Sequence, residues 1–244
     1  MAADVGSGAG HLTVALAQLG RDVVAVDAAE SMLEQVLSNA AQAGVAARVR
    51  PVTSQAQELG LASATCAAVI AIGLLPWVEQ PALAVAEMAR ITKPGGHVIV
   101  TMDNTWSVAR GLDPVWHASV RRLITTCRRL LARRMSERPP SLWPASANRG
   151  DLDRLLRAAG LIPLEFTGIG FGPFTFLGRA VVPNNVGLRL DSRLQRLAER
   201  RLPSLAHAAV FTICLAVKPA EETATDTDAP VKSESVREAV RKEG

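Results

Sequence analysis

The sequence predicts an α/β protein: a mostly parallel sheet with helices on both faces, an antiparallel last strand and an inserted helical lid. Three observations predict it. Short β-type runs alternate with helical ones over the first hundred residues, the rhythm of consecutive β-α-β units. The run 67–72 is apolar on both faces, as a central parallel strand must be. A glycine-rich turn joins the first strand to the first helix.

The elements follow in order. Residues 2–5 form a short strand that leads into Gly6, Ser7, Gly8, Ala9 and Gly10. Residues 11–19 carry Leu12, Ala15, Leu16 and Leu19 at helical spacing and stop at Gly20. A second strand, 22–26, ends in Asp27, and a helix over 31–43 is closed by Gly44. Strands at 48–52 and 67–72, a helix at 81–91, the turn Lys93-Pro94-Gly95-Gly96 and a fifth strand at 97–102 complete the rhythm. Ligands on such sheets lie beyond the carboxyl ends of the strands, so residues 6–10, Asp27, Gln55 and Gly73 are expected along one edge.

Beyond Asp103 the pattern changes. A basic amphipathic helix is expected over 114–135, broken at Arg138-Pro139-Pro140. A helix over 150–159 ends at Gly160, and strands are expected at 161–167 and 209–218, with an arginine-rich helix at 188–201 between them. Residues 1–218 thus read as one domain, with 103–148 and 169–206 as lid or substrate insertions. Residues 219–244, which lack aromatic side chains, read as a disordered tail.

Composition narrows the function classes. The 244 residues are 48% hydrophobic and 20% charged, enough for one good-sized core. Cys66, Cys127 and Cys214 are dispersed and odd in number, so neither a disulfide framework nor a metal site is expected and a reducing cytoplasm fits best. The longest apolar run, 64–78, is too short to span a bilayer and contains Gly73 and Pro76. The net charge of +4 is uneven: 105–202 hold 17 arginines, no lysine and seven acids, whereas 1–104 hold five basic and nine acidic residues.

Glycines at 6, 8 and 10 let the backbone turn sharply and approach a ligand, and the helix behind them offers its amino-terminal N–H groups to an anion. The dinucleotide fingerprint requires a further glycine where His11 stands. Asp27, at the end of the second strand, can accept hydrogen bonds from a ribose diol or cap the helix that follows. Together with the glycine turn, ribose binding is the reading adopted.

At these residues the chain resembles class I S-adenosylmethionine (SAM)-dependent methyltransferases, in particular those acting on quinones, sterols and other small molecules. The resemblance rests on DVGSGAGHLTVALA at 4–17, VVAVDAAESMLEQ at 23–35, LLPWVEQPALAVAEMARITKPGGHVIV at 74–100 and, more loosely, LDRLLRAAGL at 152–161. It implies a Rossmann-like fold with SAM as cofactor. Gly6, Ser7 and Gly8 would pass under the methionine part, and Asp4 would help hold its amino group through the loop. Asp27 would bind the ribose hydroxyls, Ala28 and Met32 would flank the adenine, Gln55 and Ala56 would meet its edge, and Gly73 and Leu75 would face the methionine part and the acceptor. The chain departs from the family at Ser54-Gln55-Ala56, which replaces Gly-Asp-Ala, and at Cys66-Ala67, which replaces Phe-Asp. The family also carries a capping helix before the first strand, so either the start lies upstream of Met1 or the pocket is incomplete.

Methyl transfer from a sulfonium is an in-line displacement driven by alignment, and it needs a general base only for a protonated acceptor. Among His11, His97, His117 and His207, His117 lies in the expected lid helix and is the base candidate; His97 is expected to face solvent and His207 to be structural. Trp77, Asp103, Asn104 and Trp106 follow the fourth and fifth strands and are placed to shape the acceptor site or to pack under the lid.

The 114–135 helix is either a lid with a solvated charged face or an arginine-rich surface for an acidic acceptor or the headgroups of an anionic membrane. Nucleic acid is disfavoured as a partner, because aromatics are only 4% of the chain and tyrosine is absent. The leading function is methyl transfer to a small-molecule or lipid-like acceptor. A catalytically impaired methyltransferase-like domain and an NAD-dependent oxidoreductase are the alternatives. The acceptor, the atom methylated and the oligomeric state are not encoded in any motif.

Overall fold

The computed structural model describes residues 1–113, 146–172, 174–176, 179–200 and 202–220. The expected helix at 114–135, its breaker, His117 and most of the expected tail lie outside these residues.

The chain opens as β1 (Ala2–Val5), α1 (His11–Gln18), β2 (Val23–Asp27), α2 (Glu30–Gln42), β3 (Val49–Thr53), β4 (Cys66–Ala71), α3 (Pro81–Ile91) and β5 (Thr92–Asn104). Helix α4 (Val108–Leu112) and strand β6 (Ser146–Ala147) precede α5 (Arg149–Ala158) and β7 (Ile162–Ile169). A small hairpin, β8 (Thr175–Phe176) and β9 (Arg179–Ala180), leads to α6 (Asn184–Arg200), α7 (Pro203–Ala206) and β10 (Phe211–Val217).

The sheet runs β3-β2-β1-β4-β5-β10-β7. Strands β1 to β5 are mutually parallel, and β10 is antiparallel to both β5 and β7. The expected parallel rhythm and antiparallel last strand are therefore present. The order reverses beside β1, between β1 and β4, which is where ligands bind on such sheets.

Burial explains the order. Ala3, Val5, Val24, Val26, Val69, Ala71, Val98 and Val100 fill a core closed by Ala84, Val85 and Met88 of α3 and Leu152 and Leu156 of α5. The other sheet face packs Val23, Ala25 and Val49 on Ala17 of α1 and Leu33, Val36 and Ala40 of α2. Central strands covered on both faces carry continuous apolar runs.

Several boundaries differ from expectation. The turn 93–96 is not a break but an irregularity within β5: Gly95 N–H donates to the Lys218 carbonyl and Lys218 N–H to that of Gly96, so the end of β10 zips the turn into the ladder. Helix α6 begins at Asn184 rather than 188, because the Pro183 carbonyl accepts from Val186 and Gly187 N–H and starts the first turn. The bridge of β6 to β5 (Asp103 to Ser146, Asn104 to Ala147) is also new. Strand β6 takes the edge of β5 beyond Val100, the last residue paired to β4.

Candidate active site

The crevice beyond β1 and β4 is organised by the opening turn. Gly6, Gly8 and Gly10 have φ of +73°, +51° and +81°, a left-handed region costly for residues with a Cβ. The turn is pinned from below. Gly6 and Ser7 N–H donate to the Val26 carbonyl at 2.8 and 3.0 Å, and Asn39 Nδ2 of α2 donates to the Ala9 carbonyl at 2.8 Å. Gly8 N–H donates to Asp27 Oδ2 at 2.9 Å, and Ala29 N–H to Asp27 Oδ1 at 2.9 Å.

These bonds refine the expected chemistry. The amides of Gly6, Ser7 and Gly8 are already engaged, so the turn meets a ligand with its Cα and carbonyl surface. Asp27 points at the turn, and each of its oxygens accepts one backbone bond. A carboxylate has about four lone-pair sites, so one per oxygen is left for a ribose diol.

Two observations mark room for a ligand. Ser7 Oγ is buried without a hydrogen-bond partner, an arrangement that native proteins avoid unless something supplies one. A Cβ on Gly8 or Gly73 would meet nothing within 4 Å, whereas one on Gly6 would lie 2.8 Å from Leu74 Cδ1. The turn is thus packed against Leu74 on one side and open on the other. These residues fit the nucleoside and methionine parts of SAM.

Of the other residues expected there, Gln55, Ala56, Ala28, Met32 and Gly73 lie around the same crevice, and Leu75 and Asp4 do not face it. Ser54 N–H donates to the Asp27 carbonyl at 3.0 Å, which sets the Gln55-Ala56 segment beside Asp27; Gln55 is exposed and Ala56 buried. Ala28 and Met32 are exposed next to Asp27, and Gly73 N–H is held by Thr101 Oγ1 at 2.6 Å. Leu75 does not face the site. It is wholly buried in the main core, because the 3₁₀ turn over Leu75–Trp77 aims it inward and leaves Leu74 at the loop.

Asp4 is buried beneath the turn and accepts from Thr13 Oγ1 at 2.6 Å. Burial pushes its carboxyl above the ordinary carboxylate range, against the Thr13 bonds, and the charge of Asp27 adds to the rise. It therefore supports the turn from below and contacts a ligand only through it.

A second space lies at the carboxyl end of β5. It is a cavity of about 610 Å³ shared by Asn104, Trp106, Arg149, Phe166, Gln195 and His207 among others, within the range of small-molecule sites. None of its lining residues belongs to the glycine turn. The two spaces are linked by β5, where Thr101 serves the crevice and Asn104 the cavity, about 10 Å apart at the rise of a strand.

The cavity wall is tied together by polar bonds. Asn104 Nδ2 donates to the carbonyls of His207 and Ala209 at 2.7 and 2.8 Å, fixing α7 against the end of β5. The Arg149 guanidinium stacks 4.5 Å above the Phe166 ring. Asp103 pairs with Arg110, and burial raises its carboxyl above the usual range while Arg110 opposes the rise. His207, expected to be structural, is exposed to the cavity, and His97 is exposed as expected. Trp77 and Trp106 stand 66% and 74% exposed, and the lid helix expected to cover them lies outside the described residues. Sequence reasoning did not bring Asn104, Arg149, Phe166 and His207 together at one cavity, because they come from four distant segments. Among the described residues no group of three His, Cys, Asp or Glu is placed to hold a metal, and no helix is long and apolar enough to cross a membrane.

Comparison with known proteins agrees with this geometry. The sequence model of the family described as "Methyltransferase domain" matches residues 3–100. A ubiquinone biosynthesis O-methyltransferase of Methylococcus capsulatus is 30% identical over 191 residues, covering 77% of this chain and 73% of that one. An uncharacterized methyltransferase of Mycobacterium bovis is 39% identical over 95 residues, 39% of this chain but only 36% of the relative's length. Among solved structures, geranyl diphosphate C-methyltransferase from Streptomyces coelicolor, in complex with geranyl diphosphate and S-adenosyl-L-homocysteine, shares the fold with a TM-score of 0.57 at 14% identity, over 89% of this chain and 70% of that chain.

Proposed function

The chain belongs to the class I SAM-dependent methyltransferases, and on that premise we propose that it methylates the oxygen of a small, quinone-type phenolic acceptor held in the cavity at the end of β5. The carrying observation is the cavity itself. Its lining combines aromatic and cationic side chains (Trp106, Phe166, Arg149) with a histidine, His207, whose backbone is fixed by Asn104. The likeness to an enzyme named for ubiquinone biosynthesis supports the same acceptor class.

When bound, SAM supplies a methyl group already activated on a sulfonium. The chain's own work is placement. Asp27, the glycine turn, Gln55, Ala56, Ala28 and Met32 fix the nucleoside end, and Gly73 leaves the way open towards β5. Trp106 and Phe166 orient a planar ring, and His207 takes the phenolic proton, so that the oxygen's electron pair is free to form the new bond to carbon. The lid candidate His117 lies outside the described residues, and His207 takes the role of base in this reading.

The test is transfer of isotopically labelled methyl from SAM to a catechol-type quinone precursor. Label recovered as a methyl ether supports the reading. Binding of SAM without transfer to any phenol contradicts the acceptor class, and no binding of SAM points to a catalytically impaired domain.

A further inference from the structure

Helix α6 (Asn184–Arg200) has two unlike faces. Its inner face is accounted for. Leu194 and Ala198 pack on Phe171 and Ala209, Asp191 Oδ1 accepts from Phe171 and Gly172 N–H, and Gln195, Ala198 and Glu199 line the 610 Å³ cavity. Among the described residues the outer face has no counterpart. Arg189, Arg193, Arg196 and Arg200 are all exposed, and among the described residues none forms an ion pair with an acidic residue. At 3.6 residues per turn, spacings of four, three and four residues put them on one stripe about 60° wide. Beside it runs an exposed apolar shoulder of Val186, Leu190 and Leu197.

We propose that the outer face of α6 docks on an anionic lipid surface, with Val186, Leu190 and Leu197 entering the headgroup boundary and the four arginines pairing with lipid phosphates. Charge and shape both favour this occupant. An arginine stripe flanked by aliphatic side chains is the pattern of a helix lying in a membrane interface. Aliphatic stems shelter in the acyl boundary while guanidinium heads stay among the phosphates. A nucleic-acid backbone would leave the apolar shoulder in water, and α6 has no aromatic residue to stack on bases. The inference deepens the methyltransferase reading and rests on it for its purpose. The helix that grips the bilayer on one side walls the acceptor cavity on the other, so a lipophilic acceptor reaches the cavity from the membrane.

The experiment is sedimentation of the full chain with vesicles of phosphatidylcholine alone and of phosphatidylcholine mixed with phosphatidylglycerol. Binding to the mixed vesicles only, weakening as salt rises, is expected. R193E/R196E should bind at least about thirtyfold more weakly, from about 1 kcal/mol per basic residue at the surface, and R193K/R196K should retain most of the binding. Wild-type protein that ignores anionic vesicles, a charge-reversed variant that binds as wild type does, or tighter binding to duplex DNA than to vesicles would each overturn the proposal. Thermal protection by S-adenosylhomocysteine, measured on the same samples, keeps the two readings apart. Protection without vesicle binding removes only the docking surface, and vesicle binding without protection removes only the methyltransferase reading.

Discussion

The crevice at β1 and β2 and the cavity at β5, β7 and α6 are built in opposite ways. The crevice is made almost wholly of backbone: three glycines at positive φ, a carboxylate held by two amides, and a neighbouring segment tied to the Asp27 carbonyl. The cavity is made of side chains, with Trp106, Arg149, Phe166, Gln195 and His207 drawn from separate segments. A ligand common to a whole family can be recognised by backbone geometry, which tolerates few residue types. A ligand particular to one member is recognised by side chains that vary freely. The two regions should therefore fail differently when altered.

The sharpest separation is expected from Asp27→Ala. It removes the partner of the Gly8 and Ala29 amides and, in the reading proposed, of two ribose hydroxyls, so affinity for S-adenosylhomocysteine should fall about 100-fold or more, at 1.5–3 kcal/mol per charge-assisted bond. Calorimetry reads this directly, and a loss below about fivefold would break the assignment of Asp27. His207→Gln should do the reverse. Transfer to a phenolic acceptor should fall roughly 100-fold, the lower end of general-base effects, while cofactor affinity stays within about twofold. Equal losses in both would mean that crevice and cavity are one site.

Smaller effects distinguish positions within the turn. Gly6→Ala places a Cβ 2.8 Å from Leu74 and Gly8→Ala places one in open space. Both bear the left-handed cost of about 1–2 kcal/mol, but Gly6→Ala should lose about 1–3 kcal/mol more through overpacking. Thermal unfolding would show Gly8→Ala the more stable of the two, with impaired cofactor binding.

The smallest effect concerns Asp4. Burial raises its folded pKa, so its contribution to stability is full below the ordinary carboxylate pKa and is lost as pH rises through the raised value. Asp4→Asn keeps an acceptor for Thr13 and escapes that loss. The Tm advantage of the variant should grow across this window and then level off. A gap independent of pH would mean that the carboxyl is not destabilised by burial.

The same contrast explains what the sequence disclosed. Strands β1 to β5, their helices and the residues at the strand ends were legible because period and glycine placement are local signals. Leu75 was misassigned because a 3₁₀ turn, which exchanges the roles of Leu74 and Leu75, leaves no periodic trace. The continuity of β5 through Gly95 was hidden because it depends on Lys218, more than a hundred residues away. His207 looked structural because nothing nearby in sequence reveals that Asn104 anchors it at a cavity.

Competition at the crevice is the most direct test of the whole account. The wild-type chain should be protected from thermal unfolding by S-adenosylhomocysteine, not by NAD, and that protection should vanish in Asp27→Ala. Protection by NAD alone, or protection by S-adenosylhomocysteine that survives Asp27→Ala undiminished, would contradict the convergence of turn and carboxylate on one sulfonium-bearing nucleoside.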